Sequence, residues 1–161
     1  MKTQLSSALL ASLLALSACA PAVEEGPDVE GCEHLQEGPA TAVTASASAT
    51  SAPAVSNDHK RYDVALGDVA GGRGGSVSFA VSEAGDYVLF LGRDVPVRVS
   101  APGGATVEAE ERLTSSPVCT EVKVRATYAL GVGTHTLTFG PTSEASVSLV
   151  LEEAAHAHGE E

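Results

Sequence analysis

Five histidines are the side chains in this sequence best suited to coordination chemistry, and two of them stand together in the C-terminal stretch EEAAHAHGEE, Glu152 to Glu161. His156 and His158 are two residues apart, so on an extended chain both imidazoles point the same way. Glu152, Glu153, Glu160 and Glu161 add carboxylate oxygens. Imidazole suits Zn, Cu or Ni, and short His-containing tracts bind such ions. Against this, a chain end must give up conformational entropy to close on an ion, and acidic ends are commonly just solvated. His59 opens a strand-like segment and His34 lies beside Cys32; either joins the tail if the fold brings the two ends together. His135 shares parity with Leu137 and Phe139, which reads as a satisfied, half-buried histidine near a strand end. The expected metal ligands are His156 and His158, with His59 and His34 as further members.

Other chemistry finds less support. AGGRGGS, Ala70 to Ser76, has the glycine density of a phosphate loop. It lacks the lysine followed by Ser or Thr that grips a nucleotide, and it precedes a strand rather than a helix. It is expected to be a hairpin loop with Arg73 at its tip. No nucleophile elbow, zincin helix or framed pair of carboxylates is present. The expectation is a non-enzymatic protein, with an enzyme whose site is invisible in sequence as the remote alternative.

Three cysteines, Cys19, Cys32 and Cys119, complete the reactive set. Cys19 follows a positively charged start at Lys2 and a Leu-, Ala- and Ser-rich run too short to span a bilayer, which needs about 20 apolar residues. A charged start, a short apolar middle and small residues at the end make a secretory signal peptide over residues 1–18. Leu16-Ser17-Ala18-Cys19 is the pattern leucine, small, small, cysteine, and here the chain resembles a bacterial lipoprotein. The resemblance covers roughly the first twenty residues. It implies cleavage before Cys19, lipid attachment at Cys19, palmitate among the acyl chains, and a home in the bacterial cell envelope. Two or three acyl chains hold a protein stably where one is marginal, since each buried CH₂ contributes about 0.8 kcal/mol. Alanine rather than aspartate at position 20 implies the outer membrane.

With Cys19 carrying lipid, the resemblance leaves Cys32 and Cys119 as a pair in an oxidising compartment, where disulfides persist. The alternatives are two free thiols or two metal ligands, although thiols this far apart make a poor zinc signature. A disulfide would close a loop of about 90 residues and contribute at most about 4–5 kcal/mol in the chain-entropy picture.

Composition narrows the partners. The chain carries 9 Lys and Arg against 21 Asp and Glu, a net charge of −12, and loss of residues 1–18 removes Lys2 and no acid. Such a surface excludes nucleic acid, whose phosphates demand basic groups, and opposes lying flat on an anionic bilayer. Its attachment to the membrane would run through the lipid alone, with an envelope protein as partner. Trp is absent, and Tyr and Phe number only 3 each, which disfavours carbohydrate stacking. The single Met is Met1, and no His closely follows Cys119, so a blue-copper site is also disfavoured.

The elements that must position these residues read as follows. Residues 19–31 form an acidic tether. Residues 32–56 hold a short helical turn at CEHLQEG, ended by Gly38-Pro39, and then an Ala-, Ser- and Thr-rich segment in which TAVTASA alternates weakly. From residue 57 to 153 the strand signal is clear. KRYDVAL puts Tyr62, Val64 and Leu66 on one side, and SVSFAV puts Val77, Phe79 and Val81 on one face. DYVLFLG is apolar on both faces, as a strand covered twice must be. TEVKVRATYAL places Val122, Val124, Ala126, Tyr128 and Leu130 inward against Glu121, Lys123, Arg125 and Thr127. Glycine and proline punctuate every connection. GVGTHTLTFGP resembles the closing motif of the small jelly-roll domains found beside secreted proteases, which also implies a sandwich. The fold expected is all-β, an antiparallel, jelly-roll-like β-sandwich of about seven to eight strands, preceded by a disordered tether and followed by the tail 154–161. By strand parity Cys119 points outward, so a disulfide would pin the Cys32 segment to the outside of the sandwich.

Taken together, these features lead us to expect a lipid-anchored envelope β-sandwich that works as a binding or structural module, with transition-metal binding through the His-containing tail as its alternative.

Overall fold

The computed structural model describes residues 26–154. The signal segment, Cys19, His156 and His158 lie outside the described residues. Helix α1 spans Pro27–Glu37. Twelve strands follow: β1 Ala40–Thr44, β2 Ala54–Val55, β3 Arg61–Ala65, β4 Gly67–Val69, β5 Gly72–Val81, β6 Gly85–Leu91, β7 Val97–Ser100, β8 Thr106–Val107, β9 Glu111–Leu113, β10 Val124–Leu130, β11 Gly133–Thr142 and β12 Ser146–Glu153. Eight of them are four residues or longer, in keeping with the seven to eight strands expected.

They form two facing sheets. The first runs β1-β3-β12-β6-β10-β9 and the second β2-β5-β11-β7-β8, with β4 also paired to β5. Most pairings are antiparallel. The exceptions are β1 with β3 and β2 with β5, both parallel. They arise because the chain leaves β1 for the other sheet at β2 and returns to lie beside β1 as β3.

The core between the sheets is filled by the inward face of each strand: Tyr62 and Val64, Leu89 and Leu91, Leu149 and Leu151 from the first, Val77, Phe79, Leu137 and Phe139 from the second. The rings of Phe79 and Tyr87 meet edge to face with centroids 5.4 Å apart. The second apolar face of β6 also finds its cover. Val88 and Phe90 pack with Val150, Val122, Cys119 and Leu35 of α1 on the outer face of the first sheet. Gly31 lies directly over Phe90, where a Cβ would overlap the ring, so glycine allows the helix to settle against the sheet.

Four local expectations are revised. The acidic segment 19–31 was expected to be tether to its end, but helix already begins at Pro27. Proline at the first helical position needs no N–H partner, and Asp28 and Glu30 complement the positive end of the helix dipole. The glycine run 72–75 belongs to β5, and the hairpin turn is confined to Ala70 and Gly71. Gly74 passes so close to the Phe139 carbonyl that a side chain would collide with it. Val122 is buried, but beneath α1 rather than between the sheets, because β10 starts only at Val124. His135 is fully rather than half buried, with Nε2 2.8 Å from the Gly131 carbonyl and Nδ1 unpartnered.

Candidate metal centre

The outer face of the first sheet ends in a polar cluster. On β12, Val147, Leu149 and Leu151 face the core, so Val150 and Glu152 face α1. Glu152 pairs in register with Val88 and is only 3% exposed. A carboxylate so placed needs partners, because burying an unpaired charge costs several kcal/mol. It has two. His34 of α1, on the same helical stripe as Gly31, brings Nδ1 to 2.5 Å from Glu152 Oε1. His59, in the turn between β2 and β3, brings Nδ1 to 3.9 Å from Oε2. The two imidazole centroids are 5.0 Å apart with rings tilted by 59°.

Each ligand-bearing element is held in place. α1 is tied by the Cys32–Cys119 disulfide, with Cα atoms 5.6 Å apart. Its first turn is clasped by Arg125, whose Nε donates to both oxygens of Asp28 at 2.9–3.0 Å. Near its end, Gln36 Nε2 donates to Glu121 at 2.7 Å and Arg61 donates to the Leu35 carbonyl at 3.2 Å. The expectation that Cys119 pins the Cys32 segment to the outside of the sandwich therefore holds, with Cys119 itself covered by the helix.

His59 has φ +58°, a left-handed conformation that costs a residue with a side chain about 1–3 kcal/mol unless its surroundings impose it. Here they do. The Tyr62 ring is seated in the core. Its hydroxyl accepts from the Ser56 N–H at 3.2 Å, shares a hydrogen bond with Ser56 Oγ at 2.7 Å and donates to Asp58 Oδ1 at 3.0 Å. Lys60 Nζ donates to the other Asp58 oxygen at 2.5 Å. Burial pushes the Asp58 carboxyl up, but hydrogen bonds from Lys60, Ser56 and Tyr62 outweigh it and bring its pKa to about 2.

The electrostatics of Glu152 run the other way. Burial raises its pKa; the His34 hydrogen bond and the two imidazoles lower it; Glu30 raises it further, and the net shift is upward. Among the described residues, no Lys or Arg is one of the groups acting on it. The carboxylate is faced by two imidazoles, the His34 hydrogen bond being the larger of their contributions. One ligand atom from each of His34, His59 and Glu152 can be chosen so that all lie within 4.8 Å of one another. Two imidazoles and one carboxylate are a donor set for Zn, Cu or Ni, and Zn is commonly held by such a triad with a further position left for another ligand. Ca and Mg prefer oxygen alone. A second group, Cys32, Cys119 and Glu121, also lies close together, but its sulfurs are joined to each other.

His34 and His59, expected as accessory ligands, are thus brought together, while His135 lies in the core. Glu152, expected as an oxygen donor of the tail, belongs to β12 and anchors the cluster. The signal for its burial was the apolar outer face of β6 and Val150, since an acid in that row must share their cover. His156 and His158 lie beyond Ala154, the last described residue. No known family matches this sequence, and no curated protein matches it.

Proposed function

We propose that this protein is a lipid-anchored, non-enzymatic binding module of the bacterial envelope whose ligand is a transition-metal ion, held by His34, His59 and Glu152. The observation that carries the metal reading is the near-complete burial of Glu152 against two imidazoles, with no Lys or Arg among the described residues acting on it. A divalent ion would supply the positive charge that a buried carboxylate calls for. Metal–nitrogen and metal–oxygen bonds of about 2.0–2.2 Å would hold the two donors roughly 3 Å apart. An ion held there would take the place of the hydrogen between His34 Nδ1 and Glu152 Oε1, and the pair would ease apart to admit it. The packed interior between the sheets favours a surface site of this kind over a buried ligand cavity. Anchoring rests on the Leu16-Ser17-Ala18-Cys19 motif, and the outer membrane on Ala20.

One preparation tests both parts. A Cys19→Ser chain is expected to leave the membrane fraction and appear as soluble protein; continued partitioning with membranes would refute the anchor. Calorimetric titration of that mature chain with Zn²⁺, Cu²⁺ and Ni²⁺ is expected to give one-to-one binding. Glu152→Gln keeps the shape and removes the charge, and is expected to weaken binding at least 100-fold. Equal affinity in the Gln variant would overturn the metal reading.

A further inference from the structure

Along one edge of the sandwich, β8 ends the second sheet and β9 ends the first. β8 pairs only with Val99 and Ser100 of β7 before the chain crosses to β9, so Val97 and Arg98 have no partner on that side. The sheets part there into a cleft of about 390 Å³. Small-molecule sites are clefts of about 300–1,000 Å³ with apolar walls and a few placed polar groups. The walls here are Val97, Val99, Val107 and Ala109. Val99 is buried, but the other three are only partly buried against the core.

The polar groups are Arg112 and Tyr128. Arg112 stands opposite Ala126 in the β9–β10 register, and opposed residues of an antiparallel pair share a face. Ala126 is part of the core, so Arg112 lies on the inner face of its sheet, exposed at the mouth of the cleft. Burial pushes the Tyr128 hydroxyl up in pKa; Arg112 opposes this by charge and hydrogen bonding, Glu108 adds to it, and the net shift is upward. The hydroxyl therefore keeps its proton at neutral pH and can donate. Arg98 and Glu108 complete the rim. Two guanidiniums against one carboxylate make this rim positive on a chain of net charge −12. Among the described residues, neither arginine has an acid within ion-pair distance, whereas Lys60, Arg61, Arg93 and Arg125 each have one.

We infer that this cleft binds a small amphiphilic carboxylate: Arg112 and the Tyr128 hydroxyl hold the carboxylate, and Val97, Val99, Val107 and Ala109 take the apolar body. A guanidinium presents paired N–H donors that match the two oxygens of a carboxylate. An inward charge also guards a sheet edge against pairing, but that role needs neither the apolar cleft beneath Arg112 nor the tyrosine donor beside it. The His34, His59 and Glu152 cluster lies on the opposite face of the first sheet, so the two sites stand or fall separately.

The test uses the mature Cys19→Ser chain, stripped of metal with a chelator so that no ion elsewhere can hold a carboxylate. Octanoate and octanol are titrated below the concentrations at which they aggregate, followed by calorimetry and by backbone amide NMR shifts. Octanoate is expected to bind one-to-one, to shift the amides of Val97, Val107 and Ala109, and to bind about 10-fold more tightly than octanol, the preference that hydrogen bonds to a charged group provide. Arg112→Gln, checked for folding by circular dichroism, is expected to erase that preference and leave octanol affinity unchanged. No binding of octanoate, equal affinity of the parent for octanoate and octanol, or shifts confined to residues away from the cleft would each overturn the inference. A preference retained in full by Arg112→Gln would overturn it too, leaving Arg112 as an edge guard only.

Discussion

Leu151 and Glu152 are adjacent on β12 and equally shielded, each 3% exposed, but opposite sides of the same sheet bury them. Leu151 faces a whole second sheet, whose Phe79, Leu137 and Phe139 fill the space with apolar surface. Glu152 faces one eleven-residue helix, α1, held by a disulfide and a few polar clasps. Burial of the first kind is redundant, because many strands contribute and no single contact decides it. Burial of the second kind is conditional: lift α1 and Glu152, Val88 and Phe90 return to water together. The inner face should therefore govern whether the chain folds, and the outer face whether the folded chain binds.

The largest effect is expected from the inner face. Leu149 is fully buried between the sheets, and Leu149→Ala should cost about 2–5 kcal/mol in a denaturant titration, from lost transfer energy plus the cavity left behind. Zinc affinity of the fraction that remains folded should be unchanged. A parallel loss of affinity would mean that the two faces are not separable. Next comes the outer face. Cys32→Ser with Cys119→Ser should cost about 2–4 kcal/mol, mostly by freeing the unfolded chain. In the folded molecule α1 then keeps its packing and its Asp28, His34, Leu35 and Gln36 contacts without the covalent tie, and zinc affinity should fall at least 10-fold. If stability falls while affinity holds, those remaining contacts position His34 unaided.

How much of this was legible follows the same division. The inner face was written in local alternation: Tyr62, Val64 and Leu66, or Val124, Ala126, Tyr128 and Leu130, each mark a buried row without reference to anything distant. That β6 must be covered on both faces was also readable in DYVLFLG. What covered it was not. Pro27, Asp28 and Glu30 have the composition of a tether, and become a helix start only when Leu35 has an apolar surface to meet. The ligand types were visible in His34, His59 and Glu152, but their meeting depends on the register of β12 against β3 and β6 and on docking of α1. Both are long-range facts that no local period encodes. Even His59 gave no sign of its left-handed backbone, which is imposed by Tyr62 reaching back from the core.

That last contact supplies the smallest and sharpest probe, because it joins the inner face to the site through one side chain. Asp58 takes hydrogen bonds from Tyr62, which is rooted in the core, and from Lys60, and so closes the turn that presents His59. Its folded pKa of about 2 lies below the ordinary 3.8. The ionised form is thus favoured in the folded state, and its contribution to stability is present above the ordinary value and lost as pH falls from about 4 to about 2. The side chain is 38% exposed, so solvent screening keeps the effect under about 1 kcal/mol. Asp58→Asn should therefore be slightly less stable than the parent at pH 7, and the difference should shrink below about pH 4 and be gone only once pH is well below the folded value of about 2, where the aspartate is neutral too. Zinc affinity at pH 7 should drop a few-fold as the turn loosens around His59, with the double-cysteine variant dropping further. An Asn variant equal to the parent in affinity would show that the backbone of residues 56–60 is set by Tyr62 and Ser56 alone, and that the link between core and site runs through the hydroxyl rather than the carboxylate.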